Sequence, residues 1–116
     1  MAATAIEITK LGRNIPETFP TAAAGAADTS YGSNKYATVE YGRDDKLLLY
    51  FTAASADTVK ILKGNGYAAA DEDMVILNNA TGTKCVVVET AKYGIDGKIV
   101  VESAGTNGKV AAVALM

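Results

Sequence analysis

The stretch that decides the fold is Lys46 to Gly66, KLLLYFTAASADTVKILKGNG. Leu47, Leu48, Leu49, Tyr50 and Phe51 form an unbroken apolar run. It is too short for a typical helix and suits a strand buried on both faces. Ala53–Asp57 is small and polar, as a connection should be. Thr58–Lys63 then alternates, with Val59 and Ile61 on one side and Thr58 and Lys60 on the other. Period two means one face on a core and one in water. Gly64, Asn65 and Gly66 close the unit with residues that tolerate positive φ. The stretch therefore reads as strand, turn, strand, turn, with Leu49 at the centre of the core and Lys60 facing solvent.

Outward from this unit, the same signals recur. Thr4–Leu11 alternates, with Ile6 and Ile8 opposite Glu7 and Thr9, and is expected as a first strand. Tyr36–Tyr41 alternates again, and Gly42-Arg43-Asp44-Asp45 reads as a turn into the central pair. After the loop Tyr67–Asp73, Met74–Leu77 is a short apolar strand, and Asn78–Gly82 a turn. Lys84–Glu89 carries Cys85, Val86, Val87 and Val88, all favourable in strands, with Val87 and Cys85 expected to be buried. Asp96-Gly97 between apolar runs signals a hairpin. Lys98–Glu102 follows, with Ile99 and Val101 inward. Gly105–Gly108 turns the chain, and Lys109–Leu115 is the last strand, with Val113 and Leu115 inward.

These elements predict an all-β fold: a single-domain β-sandwich, Ig-like or jelly-roll-like, of about eight short strands spanning residues 1–116. Several strands are apolar at consecutive positions, so they are central or have an outer face covered by another subunit. One segment stands apart. Gly12–Lys35 holds both prolines, Pro16 and Pro20, and sustains neither period. It reads as an irregular arm or long loop, with Ile15, Phe19 and Tyr31 spaced along it as anchors for a partner.

Composition bounds the function. The chain has 116 residues, 49% of them hydrophobic and 21% charged, which suits one globular domain. A domain of this size buries roughly 65% of the surface its unfolded chain exposes, enough for a core without metal or disulfide. Eleven basic and thirteen acidic residues give a net charge of −2, spread without long runs, so nucleic acid is not the expected partner. No apolar run approaches the ~20 residues of a membrane-spanning helix. The N-terminus lacks the pattern of a secretory signal, so synthesis in a cytoplasm is expected.

The residue chemistry argues against an enzyme. There is no histidine, which removes the usual general base and the commonest metal ligand. Cys85, the sole cysteine, sits among valines and has no histidine to partner it. Asp71, Glu72 and Asp73, with Asn65 and Asn78 nearby, offer oxygen atoms to a calcium ion but lack the EF-hand pattern. Gly64 and Gly66 lack the third glycine and the helix of a dinucleotide loop. No cofactor and no catalytic or metal site is therefore expected. Six tyrosines leave open a sugar-stacking platform, the competing reading being a glycan-binding or tail or fibre module.

From Asp44 onward the chain resembles a group of small tailed-bacteriophage virion proteins encoded near the major capsid protein. Four segments carry the resemblance: DDKLLLYFTAASADTVKILKGNGY, DEDMVILNN, ETAKYGIDGKIVVES and KVAAVAL. The resemblance implies a head decoration or head-stabilising protein, a β-sandwich that binds the outside of the assembled capsid. It implies the major capsid protein as partner, a homo-oligomer with a trimer favoured, and a virion location. It does not extend to residues 12–35.

Overall fold

A computed structural model describes residues 2–41, 47–67 and 69–115, apart from the side chain of Leu115. The expected turn at Gly42–Asp45 lies outside the described residues, as does the inward placement of the Leu115 side chain. Among the described residues ten strands and one short helix follow in order: β1 (Thr4–Ile6), β2 (Ile8–Leu11), β3 (Ala23–Ala24), β4 (Ala26–Ala27), β5 (Lys35–Glu40), β6 (Leu47–Ile61), β7 (Met74–Val88), α1 (Thr90–Tyr93), β8 (Gly94–Ile95), β9 (Lys98–Ser103) and β10 (Gly108–Leu115). The expectation of an all-β single domain holds.

The central unit differs from the sequence reading. Leu47–Ile61 is one strand of 15 residues, not two strands with a connection. Met74–Val88 is likewise one strand of 15 residues. The two pair along their whole length, from Leu47 opposite Val88 to Ile61 opposite Met74. The expected turns, Ala53–Asp57 and Asn78–Gly82, fall opposite each other. The register jumps between Ala53 and Asp57, and Asn79 and Gly82 take positive φ of 49° and 142°. Turn-forming residues on both strands at the same height make a paired irregularity that bends the ribbon without ending it.

That bend lets β6 serve two halves of one sheet. Its first half pairs with β10, from Leu47 opposite Ala114 to Ala53 opposite Gly108. Its second half pairs with β9, Val59–Ile61 against Ser103–Val101. The order runs β1-β5-β9-β6-β10-β2. On the far side the N-terminal chain links the halves. β1 runs parallel to β5 and β2 parallel to β10, with Glu7 between them. The expected single first strand is thus two strands with different partners. β3 and β4 repeat the arrangement, joining β10 and β5. Strands that change partner at a bend are the usual way to turn a corner between packed β layers.

The core lies between these halves. Ala37 and Val39 from β5, Leu47, Leu49, Phe51, Val59 and Ile61 from β6, Ile99 and Val101 from β9, and Val110 and Ala112 from β10 form one cluster. Ile6 and Ile8 pack against it from the same side, as expected from their alternation. Burial alternates along the start of β6, with Leu47, Leu49 and Phe51 buried and Leu48 and Tyr50 partly exposed. The unbroken apolar run is therefore two-faced rather than doubly buried. Asp96 and Gly97, at φ 51° and 84°, form the expected hairpin turn between β8 and β9.

Two expectations for β7 are overturned. Val87 is 54% exposed and Cys85 is exposed. Among the described residues only β6 pairs with β7, so β7 is an edge strand there and leaves these side chains open to solvent. Val88, not Val87, is the buried member, because it shares its face with Leu47 opposite. Leu49→Ala should cost about 2–5 kcal/mol through lost transfer energy plus a cavity. Val87→Ala should stay within about 0.5 kcal/mol. Denaturant melts of the two variants check this, and comparable losses would contradict the facing assignment.

Candidate interaction surface

With the core between the halves, the outward face of the β7-β6-β10-β2 half can be followed by register. Val87 stands beside Leu48, Leu48 beside Val113, and Val113 beside Thr9. One step along, Cys85 stands beside Tyr50, and Tyr50 beside Ala111. Val113, expected on the inward face, thus lies on the outward one; it and Ala111 are buried, Leu48 and Tyr50 half-buried, and Cys85 and Val87 exposed. An apolar band therefore runs across the outside of this half and opens to solvent toward β7.

The arm meets this band. The Phe19 and Tyr50 rings meet edge-to-face, with centroids 5.1 Å apart at 74°. Phe19 nevertheless stays 54% exposed and Ile15 60% exposed. Tyr31 lies elsewhere, 5.5 Å from Tyr36 of β5. The three anchors are thus not brought together: Phe19 lies on the band, Ile15 projects from the arm, and Tyr31 covers the other half. The arm is also less separate than its sequence suggests, since Ala23–Ala24 and Ala26–Ala27 join the sheet. The run Ala22–Ala27 holds only alanine and glycine, so no polar residue alternates with an apolar one to mark a strand.

A polar cluster occupies the outside of the other half. The Tyr36 hydroxyl donates to Glu102 Oε2 at 2.8 Å. Lys60 Nζ lies 3.4 Å from Glu102 and 3.7 Å from Asp73. Asp73 Oδ1 accepts from the Lys63 amide at 2.7 Å. Lys60 is therefore an ion-paired residue rather than one facing water alone, and Asp73 ties the acidic loop to β6. Burial of the Tyr36 ring raises its hydroxyl pKa above the ordinary 10.0, and the Glu102 carboxylate adds to the rise. At the N-terminus, Asp28 accepts from the amides of Ala3 and Ser30, each at 3.0 Å. Those two bonds hold its pKa below the ordinary carboxylate value.

Among the described residues no group of three or more Cys, Asp or Glu side chains is placed to hold a metal ion. An open cleft of about 270 Å³ lies between β1–β2 and the arm, lined by Ala5, Ile6, Pro20, Ala23 and Ala111, with Glu7 as its carboxylate. Of the six tyrosines, Tyr36 is buried, Tyr31, Tyr41, Tyr50 and Tyr93 are half-buried, and Tyr67 alone is fully exposed. The tyrosines thus do not assemble an open stacking platform. Comparison with protein-family models, curated proteins and solved structures finds no match.

The Tyr36 pair sets an alkaline limit. A raised folded pKa gives stability that is fully present below pH 10 and lost as pH rises through the folded value. Tyr36→Phe should cost about 1.5–3 kcal/mol at neutral pH, where a charge-assisted hydrogen bond is lost. The gap between wild type and Tyr36→Phe should narrow above pH 10, since only the wild type carries this proton. Urea melts of both proteins at neutral and strongly alkaline pH measure it; a gap that does not change with pH would contradict the assignment.

Proposed function

We propose that this chain is a structural protein of a tailed-phage particle, attaching to the outside of the assembled capsid and stabilising or decorating it. The observation that carries this reading is the arm. Its apolar side chains Ile15 and Phe19 stand more than half exposed, Phe19 against the apolar band and Ile15 projecting from the arm. Such residues favour a surface that works by burial against a partner. The partner is the major capsid protein, as the resemblance of residues 44–115 implies. Many identical copies on one shell turn modest contacts into firm attachment by avidity. Each apolar side chain fully buried there contributes roughly 1.5–3 kcal/mol before ordering costs.

The test separates attachment from folding. Ile15→Ser with Phe19→Ser should lower the melting temperature only slightly, since the loss inside the domain is one edge-on aromatic contact worth about 0.5–1.5 kcal/mol. Co-sedimentation with empty capsid shells should be lost. Tyr31→Ser is measured separately, because Tyr31 packs on Tyr36 and should cost stability as well. A double variant that binds shells like wild type would remove the arm from the interface, and a wild type that never sediments with shells would overturn the reading.

A further inference from the structure

The structure points to a second interaction surface, and we propose that it is self-complementary: the open edge of β7, Thr83–Val87, pairs antiparallel with the same segment of a second copy. Among the described residues β7 hydrogen-bonds to a neighbour on one side only. Along Gly82–Val88 its register with β6 is regular, Ala53 opposite Gly82 through Leu47 opposite Val88. A straight edge presents a row of unpaired N–H and C=O groups, which another β-strand satisfies. The usual blocking devices are sparse here. β7 contains no proline, and its one ionisable side chain apart from Cys85 is Lys84. The irregularity at Asn79–Gly82 distorts the strand before this segment and leaves Thr83–Val87 straight.

Geometry and charge select the register. Directly opposed residues in an antiparallel pair lie on the same sheet face. A two-fold pair must therefore be centred on a residue, not between two. Centring on Lys84 sets two ammonium groups against each other, which is unfavourable. Centring on Val86 requires Val88 to pair, just where the chain leaves the strand and Glu89 begins accepting from Lys92 and Tyr93. Centring on Cys85 avoids both conflicts. It sets Thr83 opposite the second copy's Val87, and Lys84 opposite its Val86. The apolar band then continues across the junction, from Phe19 and Tyr50 through Cys85 to the same residues of the second copy.

A five-residue strand contact with flanking apolar side chains falls below the ~1,200 Å² of the smallest standard interfaces. Association should therefore be weak and concentration-dependent. The contact is two-fold, so it yields a dimer, whereas a trimer would have to use a different surface. This inference does not rest on the capsid reading, and its test contains no capsid.

Sedimentation equilibrium of the wild-type chain should show a monomer–dimer equilibrium, and a short bis-maleimide should join Cys85 to Cys85 within the dimer. Thr83→Lys with Val87→Lys should abolish the dimer by opposing like charges. Thr83→Lys with Val87→Glu should restore it and make it salt-sensitive. Far-ultraviolet dichroism and melting temperature confirm that each variant is folded. These side chains are exposed, so folding should be unaffected. A wild type that stays monomeric up to about 1 mM, where association would be worth only about 4 kcal/mol, overturns the proposal. So does a dimer or trimer that persists in the Thr83→Lys, Val87→Lys variant, or that leaves Cys85 uncoupled.

Discussion

The fold depends on one buried carboxylate. Asp57 is only 4% exposed and sits where β6 passes from one half of the sheet to the other. Its Oδ1 accepts from the Thr58 amide at 2.8 Å and the Gly105 amide at 3.0 Å, and its Oδ2 from the Gly108 amide at 2.8 Å. It thereby fastens the turn between β9 and β10 to the bend in β6. The turn is braced further by Ser103 Oγ donating to the Gly105 carbonyl and by Ala104 donating to the Thr58 carbonyl. Gly108 is required by this approach, since a Cβ there would collide with Val59 and press on Asp57 Oδ2. A buried charge is costly unless its lone pairs are met, and here three amides meet them.

That junction explains what lies inside and outside. β9 and β10 leave the turn in opposite halves and pair with successive parts of β6, so the two halves enclose one core. The N-terminal chain repeats the partner change at Glu7 and closes the far side. β7 follows β6 around the bend but gains no second neighbour among the described residues. The interior is complete without β7's outer edge and without Ile15 and Phe19. Among the described residues, Ile15, Phe19 and Val87 stay more than half exposed.

The sequence made the strand content legible, because period-two alternation and consecutive β-branched residues report burial locally. The core faces of Ile6, Ile8, Leu49, Val59, Ile61, Ile99 and Val101 and the Asp96-Gly97 hairpin followed from such local signals. Partner changes within one strand did not. Ala53–Asp57 and Asn78–Gly82 have turn composition, and only their opposition across β6 and β7 makes them a shared bend. Asp57 looked like a loop carboxylate, since two of its three amide donors lie 48 and 51 residues further on. Cys85 and Val87 looked buried because apolar strand composition does not distinguish a central strand from an edge. Of the arm's anchors, spacing alone did not reveal that Tyr31 packs on Tyr36 while Phe19 packs on Tyr50.

The most direct test of this account is Asp57→Asn, followed by denaturant melting and amide hydrogen exchange. The amide side chain can retain one acceptor oxygen but turns an NH₂ group toward one of the glycine amides. The variant should lose about 1–3 kcal/mol in a single cooperative transition. Exchange at Gly105 and Gly108 should accelerate beyond what that global loss explains. A loss under about 0.5 kcal/mol, with both glycine amides as protected as in wild type, would contradict the claim that this carboxylate joins the two halves.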